Sequence, residues 1–148
     1  MARPTDRRVA LLSIHPRFAS AILRGAKTVE LRRTPLPPEV SHVVLYATSP
    51  IRRVVGWFEV SHIERGRPST LWRRYGHQTG VTASEFRDYF GGAKQGTAIA
   101  VGRVVPLSEP LELAAVATGA PPQSLCYLDD RVLNLLADTA ADQVAAVG

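Results

Sequence analysis

The chain has 148 residues, of which 45% are hydrophobic and 21% are charged. This length and composition suit one folded domain with its own core and exclude an intrinsically disordered chain. No run approaches the roughly 18 apolar residues that a membrane-spanning helix needs, and the basic amino terminus lacks the features of a signal peptide. A single cysteine, Cys126, excludes an internal disulfide and an all-cysteine zinc site. We therefore expect a soluble, cytoplasmic protein with no membrane partner.

The charge is concentrated in the first two thirds of the chain. Residues 1–103 carry 17 basic and 7 acidic side chains, whereas residues 104–148 carry one base and six acids. Of the 18 bases, 16 are arginine, whose guanidinium group binds phosphate through two parallel donors and stacks on bases. This asymmetry favours an anionic partner such as nucleic acid. A coding bias that replaces lysine with arginine on an ordinary surface explains the same composition.

Apolar periodicity and turn residues predict short strands and short helices in alternation. Pro16 begins a helix that Gly25 ends, and Thr82 with Glu85 forms a capping box. A helical turn or two is possible at 69–75, Gly102 marks a bulge, and Pro106 ends the last strand. The predicted strands are 9–14, 28–32, 42–48, 53–63 and 97–105, and the further helices are 83–90 and 129–138.

These elements predict an α+β, mainly β architecture: a small mixed barrel of five to six strands with short peripheral helices. Residues 1–8 form a basic extension, residues 9–138 form the single domain, and residues 139–148 form a tail that we expect to be frayed.

The most informative stretch runs from Gly25 to Arg33. Strand alternation places Val29 and Leu31 in the core and Glu30 with Arg32 on the other face, with Lys27 at the mouth of the strand. A carboxylate beside two cations can bind a polar ligand, because glutamate accepts from a base amine and the cations hold phosphate or carbonyl oxygens. An exposed strand face with a surface ion pair is the alternative interpretation.

A second candidate surface combines aromatic and basic residues. Trp72 and Tyr75 lie three apart among arginines, a pattern that offers stacking surfaces and phosphate contacts to single-stranded nucleic acid. Alternatively, Trp72 packs its loop against the barrel. The arginines that we expect to extend a nucleic-acid footprint are Arg33, Arg52, Arg53, Arg65, Arg67, Arg73 and Arg74. The four histidines are scattered without ligand spacing, so we expect no metal site and no cofactor.

The stretch Gly25, Lys27, Glu30 and Arg32, read as G-x-K-x-x-E-x-R after a strand and a proline-initiated helix, resembles the motif of ASCH domains, a branch of the PUA-like superfamily. The hairpin from Tyr46, the later helix and strand and the segment Pro121–Leu125 resemble that family in the same order, over roughly residues 9–128. The resemblance implies a PUA-like barrel with a basic cleft floored by the motif and an RNA-related function.

The same resemblance implies alternatives to simple binding. Some small relatives are amidohydrolases of N4-acetylcytidine, in which a lysine, a threonine three residues later and a glutamate on a later helix carry catalysis. Lys27 and Glu85 match two of these positions, but Glu30 stands in place of the threonine. A ribonuclease activity is also known in the family. We therefore expect an RNA-binding module, with a small hydrolase acting on a nucleoside-sized ligand (catalytic candidates Lys27, Glu30 and Glu85) or a non-catalytic regulatory domain as alternatives.

Overall fold

The computed structural model describes residues 8–147, which form one six-stranded sheet with short helices on both faces. Two short 3-10 helices complete the connections. The strands are β1 (Arg8–Ile14), β2 (Val29–Arg32), β3 (Val40–Ala47), β4 (Arg53–Gly66), β5 (Gly96–Leu111) and β6 (Leu125–Leu128). The helices are α1 (Pro16–Leu23), α2 (Pro68–Tyr75), α3 (Ala83–Phe90) and α4 (Val132–Val147).

The sheet is open, with the strand order β2-β5-β4-β3-β1-β6. Strands β1 and β3 pair in parallel and all other neighbours pair antiparallel. The predicted α+β class with about six strands is confirmed, but the sheet of the predicted barrel is not closed. Its two edge strands, β2 and β6, are four residues long and each pairs with a single neighbour, so no backbone ladder joins the edges.

Both faces of the sheet are covered, because alternate residues of the central strands are buried on opposite sides. Leu12 and Ile14 of β1 pack with Ile22 of α1 on one face. Leu11 of the same strand packs with Leu136 of α4 on the other. A third cluster packs α2 and α3 against β2 and β5. Val29 and Leu31 belong to this third cluster, as the alternation predicted. Among the described residues, no helix is long and apolar enough to cross a membrane.

Two glycines have the roles that the sequence indicated. Gly25 follows α1 with a φ of 82°, a left-handed conformation that glycine adopts without strain. Gly102 lies at a shift of register between β4 and β5, where a Cβ atom would lie 2.8 Å from the Glu59 carbonyl oxygen. The bulge at Gly102 is thereby confirmed.

Two boundary predictions were wrong in the last third of the chain, and one strand was missed. Strand β5 continues past Pro106 to Leu111, because β2 pairs only with residues 97–100 and leaves the rest of that side of β5 as an edge, where proline is tolerated. Strand β6 was not predicted. Helix α4 runs to Val147, so the tail from residue 139 is helical. The predicted extension at residues 1–8 lies outside the described residues except for Arg8, which begins β1.

Candidate functional site

Three charged side chains of the motif form a buried cluster beside strand β2. Lys27, Glu30 and Arg32 are 2%, 6% and 8% exposed. The Glu30 carboxylate lies between the two cations, with Oε1 3.2 Å from Lys27 Nζ and Oε2 2.8 Å from Arg32 Nη2. A surface ion pair, the alternative interpretation of this strand, is therefore wrong. Buried charges of this kind are stable only when they are paired and hydrogen-bonded.

Arg32 joins the two edges of the open sheet. Its Nε atom donates to Glu30 Oε2 at 3.0 Å, and its Nη2 atom, which forms the ion pair with the same oxygen, donates to the Ser13 carbonyl oxygen of β1 at 3.1 Å. Its Nη1 atom lies 3.3 Å from Ser124 Oγ and 3.5 Å from the Ser124 carbonyl oxygen, just before β6. The Ser13 amide in turn donates to that Ser124 carbonyl at 3.0 Å. A guanidinium fork thus links the strands where the backbone ladder is absent.

We expect Arg32→Lys to lower the free energy of unfolding by about 1–3 kcal/mol, although it keeps the charge beside Glu30. A lysine ammonium cannot reach Glu30, Ser13 and Ser124 together, so buried acceptors lose their donors. Chemical denaturation monitored by circular dichroism measures the effect. Arg33→Lys is the matched control, because Arg33 is exposed. Equal stability of the two variants would contradict the view that Arg32 links β2 to β1 and to the segment before β6.

The Lys27 ammonium group lies under an aromatic ring in a mostly apolar environment. Its Nζ atom donates to the Thr79 carbonyl oxygen and is 5.1 Å from the centre of the Phe18 ring. Burial lowers the pKa of Lys27 below its ordinary value, and this effect outweighs the opposing attraction of Glu30. An ammonium has three donors, and within the described residues two protein acceptors engage them. One N–H group of Lys27 is therefore available to a ligand.

A cavity of about 330 Å³ opens over this cluster, between α1 and α3. Its floor includes Lys27, Glu30 and Arg32, and three aromatic rings, of Phe18, Phe86 and Tyr89, stand around it. The cavity has the size and the mixture of apolar walls and few polar groups that are typical of a small-ligand site. Its remaining lining residues are Ser13, Ile14, His15, Leu31, Val81 and Glu85.

Glu85 lines the cavity but both of its oxygens are already bonded. Oε1 accepts from the Thr82 amide at 2.9 Å and completes the capping box that the sequence predicted. Oε2 accepts from Arg17 Nη2 at 2.5 Å. Both bonds lower the pKa of Glu85 below its ordinary value, and the bond from the Thr82 amide has the largest effect. Glu85 is therefore ionised at neutral pH and is poorly suited to donate a proton.

The other predicted site residues lie outside the cavity. Arg33 is exposed, with its guanidinium 5.1 Å from the centre of the Tyr89 ring. Arg65 donates to the Arg33 carbonyl at 2.5 Å and to Thr97 Oγ1 at 2.9 Å, so it holds the chain after β2. Arg52 and Arg53 stand at the connection between β3 and β4.

Helix α2 carries the remaining candidates. Trp72 is half-buried and its ring centre lies 4.8 Å from that of Phe86. The ring thus packs α2 against α3, whereas the alternative interpretation placed it between a loop and the barrel. Arg74 pairs with Glu64, while Arg67 and Arg73 are exposed. None of these arginines lines the first cavity.

A second cavity, of about 410 Å³, shares Ser13 with the first one. Tyr46 and Arg52 line this cavity. Its other lining residues are Thr48 and Ser49, which follow β3, and Pro121, Pro122 and Gln123, which precede β6. Ser13 Oγ donates to the Pro122 carbonyl oxygen at 2.6 Å, and both residues line the second cavity.

Sequence reasoning missed several residues of the first cavity. Phe18, Phe86 and Tyr89 surround this cavity, and no sequence pattern assigned these rings to a site. The spacing of a helix indicates which face is apolar, not which rings surround an opening. Within residues 8–147, no three His, Cys, Asp or Glu side chains lie close enough together to hold a metal ion.

The chain belongs to the ASCH domain family, whose sequence model matches residues 12–103. It is 39% identical over 128 residues to a protein of Zymomonas mobilis named ASCH domain-containing ribonuclease, with 83% of this chain and 86% of the relative covered. Two similar crystal structures are of the Zymomonas mobilis ASCH protein, one with a serine replaced by alanine and one with a tyrosine replaced by phenylalanine. Both have a TM-score of 0.80 and 36% identity; the first covers 90% of this chain and 96% of that chain, the second 89% and 98%.

Proposed function

We propose that this chain binds single-stranded RNA and takes one unpaired nucleotide into the cavity over Lys27, Glu30 and Arg32. The observation that carries the proposal is a buried charged cluster with a spare donor, facing a cavity edged by aromatic rings. The Zymomonas mobilis relative is named a ribonuclease, which supports RNA as the partner. Unpaired bases are the usual targets of sequence-reading RNA-binding proteins, because they can leave the stack and enter a pocket.

The cluster offers a donor and an acceptor side by side. The third N–H group of Lys27 can donate to a base carbonyl, and Glu30 Oε1 keeps a lone pair that can accept from a base amine. Arg32 takes no direct part in this proposal, since each of its nitrogens already has a protein acceptor. Its role is to hold Glu30 in place.

The surface arginines supply the sequence-independent part of the binding. Arg33, Arg67 and Arg73 are exposed, and each phosphate that they neutralise releases counterions. Arg65 and Arg74 are engaged with protein acceptors, so we assign them a weaker contribution. Arg52 and Arg53 extend the same footprint toward the second cavity.

Fluorescence anisotropy with a labelled seven-nucleotide RNA, the matching single-stranded DNA and an RNA duplex tests the proposal. We expect the single strand to bind about ten-fold or more tightly than the duplex, because a paired base cannot enter the cavity. We also expect affinity to fall steeply with salt, with a slope of about −0.7 per phosphate contacted. A preference for the duplex, or no binding to any of the three at low salt, would refute it.

A second candidate function is cleavage of the bound RNA. Two observations favour it: the relative named a ribonuclease, and the second cavity, where the Tyr46 hydroxyl and Arg52 stand beside the first cavity. A guanidinium group among hydroxyls can bind a phosphate next to the captured nucleotide. The same RNA, incubated with the protein and separated on a denaturing gel, tests this candidate. Cleavage that is reduced by Tyr46→Phe and unaffected by Tyr127→Phe, an exposed tyrosine, would support it; intact RNA would exclude it.

The amidohydrolase alternative has less support. Glu85 is held by its helix cap and by Arg17, and Glu30, in the place of the threonine, pairs with Lys27 instead of offering a hydroxyl. An assay with N4-acetylcytidine is the direct test of this alternative.

A further inference from the structure

An exposed ion pair bridges the two helices that border the first cavity. Arg17 of α1 and Glu85 of α3 are joined through Nη2 and Oε2, and their side chains are 57% and 41% exposed. Glu85 lines the cavity, and the Arg17 guanidinium lies 4.4 Å from the centre of the Phe18 ring, which also lines it. Arg17 is therefore an exposed cation at this edge of the cavity.

We propose that Arg17 binds the phosphate of the nucleotide whose base occupies the cavity, and that this phosphate displaces Glu85 from Arg17. The inference rests on the proposed function, and it identifies Arg17, at the edge of the cavity, as the residue that binds the nucleotide's phosphate. An exposed ion pair contributes about 0–1 kcal/mol, so it is easily exchanged. A guanidinium group binds a phosphate through two parallel hydrogen bonds, which are stronger than a single exposed pair.

Glu85 acts in this proposal as a competitor that a nucleoside cannot remove. Its carboxylate occupies Arg17 until a ligand with its own anionic group arrives. A ligand that lacks a phosphate leaves the Arg17–Glu85 pair intact and gains nothing from Arg17. The pair therefore determines how strongly the site distinguishes a nucleotide from a nucleoside.

The arginine on the other side of the cavity provides a contrast. Arg33 lies over Tyr89 as Arg17 lies over Phe18. Among the residues that the structure describes, however, no acid forms an ion pair with Arg33. Of these two arginines, only Arg17 is therefore subject to the exchange, and we expect the effect of removing Glu85 to be confined to one phosphate position.

The test is the ratio of two dissociation constants, that of a nucleoside over that of its 5′-monophosphate, measured by NMR titration for all four ribonucleosides. Glu85→Gln keeps an oxygen for the Thr82 amide but cannot accept from Arg17, so we expect the ratio to rise about two- to five-fold. Arg17→Gln should lower the ratio at least about five-fold. In both variants the affinity for the nucleoside alone should change less than about two-fold.

Two matched controls accompany these variants. Asp88→Asn removes one acid from the same helix as Glu85, and Arg24→Gln removes one exposed arginine that directly follows α1. Neither residue lines the cavity, so both should leave the ratio unchanged. Thermal melts of all four variants check that each is folded, which the exposure of the substituted side chains favours.

Five outcomes of these titrations support or overturn the proposal. A ratio that is unchanged in Arg17→Gln, or reduced in Glu85→Gln, overturns the phosphate assignment even if RNA binding persists. Titration with the seven-nucleotide RNA identifies the source of the phosphate: tighter binding by Glu85→Gln supports an RNA strand. A gain confined to the monophosphates overturns the strand in favour of free nucleotides. A wild-type protein that binds none of these probes overturns the proposed function as well.

Discussion

Glu30→Gln is expected to lower the free energy of unfolding by about 3–5 kcal/mol, the usual loss when one partner of a buried charge pair is removed. Glu30 is 6% exposed and lies between Lys27 and Arg32. Glutamine has nearly the same volume but no charge. The variant therefore leaves two cations side by side in a buried site without a neutralising partner.

Chemical denaturation and thermal melting measure this loss, and a midpoint shift of roughly 10 °C is expected for a chain of this size. Glu59→Gln is the matched control. Glu59 also pairs with an arginine, Arg103, but at 3.5 Å and with side chains 43% and 67% exposed. That change should cost about 0–1 kcal/mol. If both substitutions have the same effect, the buried cluster does not hold the site together.

A double substitution separates the charge from the packing. Lys27→Met removes one of the two cations, so Glu30→Gln should cost less in that background than in the wild type. The difference is the coupling energy of the pair, which contacting buried charges raise above about 0.5 kcal/mol. Additive effects would indicate that Glu30 acts through Arg32 alone.

Local patterns sufficed for the elements whose causes lie within a few residues. Helix α3 has the predicted bounds, because Thr82 and Glu85 form a cap that the sequence spells out. The strand of the motif and its core residues followed from alternation in the same way. Strand β6 gave no such signal, since its four residues are neither alternating in polarity nor fully buried. These residues form a strand because they pair with β1, and their own sequence does not indicate that pairing.

The chemistry of the site was predictable only in part, because some of its contacts join residues that are far apart in the sequence. The motif indicated that Lys27, Glu30 and Arg32 share a face. It could not indicate that Arg32 reaches Ser124, which is 92 residues away along the chain. Nor could it indicate that the cluster is buried, because burial depends on α1 and α3 closing over β2. The residues that the sequence predicted to bind nucleic acid thus form two groups in the structure: a buried cluster and a set of separate surface arginines.

Lys27→Met is expected to weaken binding of single-stranded RNA at neutral pH by about ten-fold or more, the range for loss of a hydrogen bond from a charged donor. Methionine keeps the length and apolar character of the buried stem, so the variant tests the ammonium group rather than the packing. Binding should be weakened but not lost, because the surface arginines remain. Lys94→Met, which removes an exposed lysine, is the matched control and should change affinity by less than about two-fold.

The role of Lys27 can also be tested by pH, because stability and RNA affinity should change in opposite directions as the pH rises. Burial lowers the pKa of Lys27 in the folded protein, against the opposing effect of Glu30, and the charges of Arg32 and Arg17 lower it further. Between that lowered pKa and the ordinary value of 10.5, the unfolded chain binds more protons than the folded one. The contribution of Lys27 to stability therefore rises with pH over this window. The affinity for RNA should fall over the same window, since a neutral amine is a weaker donor.

Stability and affinity are compared with the Lys27→Met variant across pH 7 to 10, with 2′-O-methyl RNA as a probe that resists alkaline hydrolysis. The difference in stability between wild type and variant should move in favour of the wild type as the pH rises, while the difference in affinity shrinks. Because Lys27→Met lacks the titrating group, other residues that ionise in this range cancel in the comparison. Parallel stability profiles for the two proteins would show that the Lys27 ammonium group does not titrate in this window, and parallel affinity profiles beside diverging stability profiles would show that it does not contact the RNA.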